Sequence, residues 1–357
     1  MSGARSGHRT RLPVVRAEIS KLFDVELPVL AAPMAGGPGT PDLVTAVAAA
    51  GGLGFLAAGY QTPDALAAAI ARVRGGGRPF GVNVFAPAPV PVDPVEFRRY
   101  ARTIAPEGAD YGLDLATAEP VQDDDHWAAK VDLLVRDPVP VLSFTFGLPD
   151  AATVAALRRS GTRVVQTVTS VPEARAAAEV GVDALVVQGA GAGAHYGTFT
   201  PAAAPPAPPL PELVGDVRGA TGLPVLAAGG IAERSAVRAV LAAGAVGAMV
   251  GTALLRSPES GANQTHKDAL ADPRRGGTVV TRAFTGRPAR ALRNAFVDRY
   301  DGGAPLGYPA LHHLTRPLRR AAAEAGDPER LHLWAGVGYR AARVAPVAEI
   351  LRGLSTD

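Results

Sequence analysis

One histidine stands out by its setting. His195 closes the loop Gly191-Ala192-Gly193-Ala194-His195, directly after an apolar run that ends in Gln188-Gly189. An imidazole titrates near neutrality and can serve as proton donor or base. The small residues before it let a flat ligand lie against backbone. Two amides occupy comparable places: Asn83 within Phe80-Gly-Val-Asn-Val-Phe85, and Gln188 itself. A buried amide needs partners, and its paired donor and acceptor suit the edge of a heteroaromatic ring. Glycine turns form a third group. Pro33-Met34-Ala35-Gly36-Gly37, Gly229-Gly230 and Met249-Val250-Gly251-Thr252 each follow or end an apolar run, where backbone N–H groups can hold a phosphate. There is no cysteine, which removes disulfides, thiolate metal ligands and a thiol nucleophile. His312-His313 and His332 do not form a metal set, because adjacent histidines leave a helix in different directions. They are expected to pack within their segment or line its inner face. The acidic run Asp123-Asp124-Asp125 reads as a solvated loop.

These residues need a frame that gathers the ends of the apolar runs. Eight such runs (28–33, 52–59, 80–87, 139–146, 163–170, 184–190, 224–230 and 247–255) alternate with alanine-rich segments of helical character. Most are apolar nearly throughout, as in strands buried on both faces of a parallel sheet. Thr40-Pro41-Asp42, Thr62-Pro63-Asp64 and Ser170-Val171-Pro172-Glu173 predict helix starts, a capping hydroxyl preceding a proline or acid. Gly51, Gly181 and Gly244 predict helix ends. Eight strand–helix units over roughly 250 residues predict an α/β fold, the (β/α)8 TIM barrel. The rival open doubly wound sheet would carry G-x-G-x-x-G after its first strand; the chain has Gly36-Gly37-Pro38-Gly39 there. In a barrel the ligand site lies at the C-terminal strand ends, where His195, both amides and the glycine turns fall. Together they suit a phosphorylated flavin better than a sugar phosphate.

Residues 20–256 are expected to form the barrel, 257–340 a smaller, mainly helical C-terminal cap, and 341–357 a C-terminal helix packing back on the barrel. Two connections, 88–137 and 195–223, are too long for simple turns. The second contains the proline-rich stretch 201–211, expected to be extended and exposed. Tyr300 and Tyr308 in the cap are candidates to cover the ligand. With 47% hydrophobic and 19% charged residues in 357, the chain can bury a large core. Its net charge of +3 is dispersed, with only three lysines, and forms no basic stripe of the kind nucleic-acid binders show. The uncharged run 239–255 is broken by glycines and shorter than the ~20 residues of a membrane span. No apolar segment follows the N-terminal arginines, so no signal peptide is read. The expectation is a cytoplasmic protein with no membrane or nucleic-acid partner; a homodimer is left open.

A resemblance joins these pieces. Ala31-Ala-Pro-Met-Ala-Gly-Gly37, Ala50-Gly-Gly-Leu-Gly54, Phe80-Gly-Val-Asn-Val-Phe85, Ser143-Phe-Thr-Phe-Gly147 and Thr167-Val-Thr-Ser170 resemble the nitronate monooxygenase family, in its bacterial FMN-containing class. So do Val187-Gln-Gly189, Ala227-Ala-Gly-Gly-Ile231, Met249-Val-Gly-Thr252 and Arg282-Ala-Phe-Thr-Gly-Arg-Pro-Ala-Arg290. The resemblance implies a barrel that holds FMN and uses O2 to oxidise alkyl nitronates, in some members nitroalkanes, to carbonyl compounds and nitrite. It places Asn83, Gln188, Gly193, Gly230, Met249, Val250, Gly251 and Thr252 at the FMN; the strand-end turns add Ala32, Pro33, Met34 and Gly229. His195 falls on the family's active-site histidine, which hydrogen-bonds the nitro group or takes the α-proton. The family's usual Glu-Ala-Gly-Gly-His-Arg-Gly is altered here, with Gly191, Ala194 and Tyr196 in place of an acid, a glycine and an arginine. That departure keeps two other readings open: an FMN-dependent NAD(P)H enoyl-thioester reductase of the same barrel superfamily, and a non-catalytic flavin-binding barrel.

Overall fold

The computed structural model describes residues 11–88, 90–203 and 207–355. Eight strands pair in parallel: β1 (Val29–Ala31), β2 (Phe55–Ala57), β3 (Gly81–Ala86), β4 (Val141–Phe146), β5 (Arg163–Val168), β6 (Ala184–Gln188), β8 (Val225–Ala228) and β9 (Gly247–Val250). Their order is β1-β9-β8-β6-β5-β4-β3-β2, and a parallel bridge from Ala31 to Gly54 joins the two edges. The result is the expected TIM barrel. Helices α2 (Pro41–Ala49), α3 (Pro63–Arg74), α4 (Pro94–Ala109), α5 (Trp127–Arg136), α6 (Ala151–Arg159), α7 (Val171–Glu179), α8 (Leu210–Thr221) and α9 (Arg234–Ala242) follow the strands. Thr40, Thr62 and Ser170 cap α2, α3 and α7 through their hydroxyls. Gly51, Gly181 and Gly244 turn the chain out of α2, α7 and α9 at positive φ.

The period-2 alternation of a strand explains what faces where. Leu30, Phe55, Val141, Val165, Val186 and Leu226 point inward and share one cluster with Ile19 and Phe23 of α1 (Arg11–Phe23), which plugs the N-terminal end. Their neighbours Val29, Val82, Leu142, Val164, Leu185 and Val225 point outward to the helices. Further up the same inward rows the residues become polar: Asn83, Ser143, Thr145, Thr167 and Gln188. The barrel is therefore dry below and polar at its C-terminal end.

Residues 257–340 contribute α10 (Gln264–Ala271), α11 (Ala295–Tyr300) and α12 (Ala310–Glu324), but also a sheet that sequence reasoning did not foresee. Strands β10 (Thr278–Thr281) and β11 (Ala289–Leu292) pair antiparallel, and β11 continues onto β7 (Ala194–His195). Periodicity could not reveal a two-residue strand. The long connection 88–137 joins the same region, since Phe97, Tyr100 and Ile104 of α4 pack with Phe284, Phe296, Leu311 and Leu318. Helix α13 (Val347–Leu354) packs Val347, Ile350 and Leu351 into the outer barrel core.

The proline-rich stretch 201–211 meets the expectation only in part: 207–209 run outside any helix or strand with Ala207 and Pro209 exposed. Residues 201–203 form a turn with Pro201 buried, and α8 already begins at Leu210, with Pro211 in its first turn where a missing N–H costs nothing; 204–206 lie outside the described residues. Among the described residues no helix is long and apolar enough to cross a membrane.

Candidate active site

A cavity of about 620 Å³ opens over the polar end of the barrel, beneath α12 and the segment that holds Trp334. Ala32, Pro33, Met34, Asn83, Gln188, Gly193, His195, Gly229, Gly230, Met249, Gly251 and Thr252 all line it. Val250 does not. It alternates with inward Met249, so its side chain packs in the outer core, and its carbonyl accepts the Ala32 N–H at 2.9 Å. Tyr300 is also remote: its hydroxyl donates to Glu107, whose carboxylate holds Arg299 and Arg330. Tyr308, by contrast, packs edge-on to His195 at 5.4 Å.

The two amides have different duties. Asn83 Nδ2 donates to the Ser143 and Thr145 hydroxyls at 2.9 and 3.0 Å, which leaves its Oδ1 for a ligand. Gln188 is largely taken up by the protein. Its Oε1 accepts the Gly197 N–H at 2.7 Å and its Nε2 donates to the His195 carbonyl at 3.2 Å. A buried glutamine needed partners, and the loop that carries His195 provides them.

That loop is clamped from three further sides. β11 pairs Ala289 with His195. Buried Glu173 accepts the Thr198 hydroxyl at 2.7 Å and the Phe199 N–H at 2.8 Å. Arg287, fully buried, donates from Nε to the Tyr196 carbonyl and from Nη2 to the Thr198 carbonyl. Its guanidinium lies 4.1 Å over the Phe146 ring. Thus an acid and an arginine do hold the histidine loop, although neither lies within residues 191–197. Ala194 takes φ 62 within it, a left-handed conformation that costs a residue with a Cβ roughly 1–2 kcal/mol. Tyr60 and Phe146, also in the cavity wall, share that backbone region with φ 67 and 82.

His195 Nε2 lies 2.9 Å from the Thr285 hydroxyl. That hydroxyl donates onward to the Arg287 carbonyl, so Nε2 carries the ring proton and Nδ1 is left with its lone pair. Burial first, then the positive charges of Arg287 and Arg319, hold the imidazole down at about 3. It is neutral at physiological pH. His312 and His332 also line the cavity, as the expected inner face required. Both are held well below the ordinary histidine range, by burial and then by Arg319. The charged residues in the cavity wall are Arg316, Arg319 and Arg320, with no aspartate or glutamate among them. Buried Arg319 donates to the His312 carbonyl at 2.9 Å and is lowered to about 10 by desolvation. Thr285, Arg287 and Arg319 were not singled out from sequence; they come from the cap, and nothing local marks a buried arginine.

A model of the nitronate monooxygenase family matches residues 16–357. A probable nitronate monooxygenase of Staphylococcus aureus is 35% identical over 348 residues, covering 94% of this chain and 95% of the relative. Among solved structures, a nitroalkane oxidase from Streptomyces ansochromogenes is 47% identical with a TM-score of 0.87, covering 94% of this chain and 96% of that one. FabK from Thermotoga maritima is 29% identical with a TM-score of 0.73 and covers 94% of each chain.

Proposed function

The chain belongs to the nitronate monooxygenase family, and from that premise we propose that it uses FMN and O2 to oxidise alkyl nitronates to a carbonyl compound and nitrite. The observation that carries this reading is the sign of the cavity: buried Arg319 is its interior charge, Arg316 lies exposed in its wall, Arg320 is exposed there and paired with Glu324, and the four imidazoles that line it are neutral. Such a low-dielectric, positive enclosure concentrates anions. A nitronate is an anion before it arrives, whereas a neutral nitroalkane gains nothing from the field.

The residues fit a phosphorylated flavin. Gly229 and Gly230 take successive positive φ angles of 110 and 72, a turn that exposes backbone N–H groups to an anion. A Cβ at Gly251 would meet nothing closer than Met34 Sδ at 3.6 Å and would project into the cavity. Ala32 to Met34, Asn83 and Gln188 would border the ring system; Gly229, Gly230, Gly251 and Thr252 would hold the phosphate. When bound, FMN supplies an electron sink beside the substrate carbon.

The protein then binds, orients and shields. Asn83 Oδ1 offers an acceptor to the cofactor edge, while Phe146, Tyr308 and Trp334 surround the His195 ring within 5.4 to 5.6 Å and keep water from it. Thr285 fixes the imidazole with its proton on Nε2, so that Nδ1 is the ring's acceptor. A base held near 3 is a weak proton acceptor, which favours the nitronate over the neutral acid as substrate. The test is nitrite release with O2 uptake from a nitronate and, in parallel, from its nitroalkane. Faster turnover of the nitronate is expected. Consumption of NADPH with neither would overturn this reading in favour of the reductase.

A further inference from the structure

The acidic run 123–125 is a solvated loop at Asp123 and Asp124, as expected, but Asp125 turns inward. Asp125 Oδ1 accepts the backbone N–H of Tyr60 at 2.9 Å, and Oδ2 pairs at 2.8 Å with Lys130 Nζ. Lys130 is fully buried and also donates to the Ala58 carbonyl at 2.9 Å. Asp123 pairs with His313 Nε2 at 2.8 Å, next to His312. The backbone is strained on both sides of the contact: Asp125, His126 and Tyr60 have φ of 56, 58 and 67. Tyr60 in turn lies flat on His312, with ring centroids 4.1 Å apart and planes within 5°, and its hydroxyl accepts from Tyr308 at 3.2 Å.

Burying an ammonium and a carboxylate costs several kcal/mol per ion, and the pair often stabilises less than apolar residues of the same volume. A fold that needed only filler under β2 and β3 would place a methionine at 130. Left-handed non-glycine residues likewise persist only where their surroundings over-determine them. Both costs converge on one object, the tyrosine–imidazole stack that forms the cavity wall on the Tyr308 side of His195.

We propose that Lys130 and Asp125 are positioning residues of the active site: their buried ion pair locks the backbone of Tyr60, and through it the Tyr60–His312 stack and the Tyr60–Tyr308 hydroxyl pair, against the substrate. The proposal rests on the nitronate reading for its assay, though not for its geometry. Neither residue reaches the cavity wall, so each acts through Tyr60.

A double-mutant cycle tests it. kcat/KM for a nitronate, per bound flavin, is measured for the wild type, Lys130→Met, Tyr60→Ala and the double variant, with thermal melting alongside. Misplacing a substrate-positioning wall predicts a loss of about ten- to a hundred-fold in Lys130→Met, mostly in KM, shrinking to less than about two-fold in the Tyr60→Ala background. Equal losses in both backgrounds would overturn the proposal. So would a lower melting temperature with kcat/KM unchanged, which is all a purely structural pair would give. Should Lys130→Met not fold, Asp125 carries the test: Asp125→Asn keeps an acceptor for the Tyr60 N–H but removes the charge that pairs with Lys130, so it should lose part of the kcat/KM that Asp125→Ala loses in full, wild-type kcat/KM in both being the contrary result. A wild type inactive on nitronates would sink the functional reading alone. The cycle is then read from nitrate affinity, measured by perturbation of the bound flavin's absorbance, with the same coupling expected.

Discussion

Lowering the pH should unfold this protein well above the carboxylate range, because it buries four neutral imidazoles. His195 is held at about 3 by burial and then by Arg287 and Arg319. Burial also takes His266 to about 4, despite its contact with the Trp334 carbonyl. His312 and His332 lie well below their usual range, again chiefly through burial. In the unfolded chain all four titrate near about 6.5. Between the two sets of values the unfolded chain binds protons that the folded chain refuses. Stability is therefore complete above about pH 6.5 and is lost as the pH falls toward the folded values. Integrated down to about pH 5, His195 and His266 cost about 2 kcal/mol each and about 4 kcal/mol together, and His312 and His332 add to it in the same direction. That approaches the whole stability of a domain, roughly 5–15 kcal/mol. The assay is urea unfolding of the FMN-loaded protein, followed by circular dichroism at a series of pH values. Its free energy should be level above about pH 7 and then fall, with His195 and His266 alone bringing the slope toward about two protons per molecule near about pH 5 and the other two steepening it. His266→Phe should reduce that slope by about one proton. A midpoint that stays put between about pH 7 and 5 would show that these histidines are not buried as neutral groups.

Other perturbations act on the loop and its neighbours. His195→Asn removes the Nδ1 acceptor and should lower turnover of a neutral nitroalkane by about 10²- to 10⁴-fold, while a nitronate, already deprotonated, loses less than about ten-fold and FMN stays bound; equal losses on both would contradict a base role for His195. Gln188→Ala deletes both bonds that hold residues 195 and 197, and should destabilise the protein by about 1–3 kcal/mol in chemical denaturation. An unaltered unfolding midpoint would mean that the clamp is idle. Ala194→Gly relieves the left-handed strain and should raise stability by about 1 kcal/mol; a loss would mean that the Cβ makes a contact worth more than the strain.

The barrel was legible because buried parallel strands are nearly continuous apolar runs, and their proline- and hydroxyl-marked helix starts are local signals. Thr40, Thr62 and Ser170 cap as read. The strand-end residues were legible for the same reason: once the strands are placed, period 2 decides which side chains reach the top of the barrel. Of residues 249–252 only Val250 stays off the cavity wall, since a strand end cannot point wholly inward. What stayed hidden is non-local. Asp125 looks like any loop acid until Tyr60 is brought to it across 65 residues of chain and buried Lys130 turns back to it. Arg287 reaches the histidine loop from 89 and 91 residues away. The altered loop at 191–197 appeared to have lost an acid and an arginine, yet Glu173 and Arg287 hold it from other elements, and only tertiary contacts reveal such partners.

The most direct measurement is an anaerobic absorbance titration of the purified, FMN-loaded protein with propionate 3-nitronate, with NADH and NADPH in parallel cuvettes. Loss of the oxidised flavin spectrum with the nitronate, and none with either nucleotide, is the predicted result. Bleaching by a pyridine nucleotide, with the spectrum unmoved by nitronate, would contradict it and assign the positive cavity to a reductase.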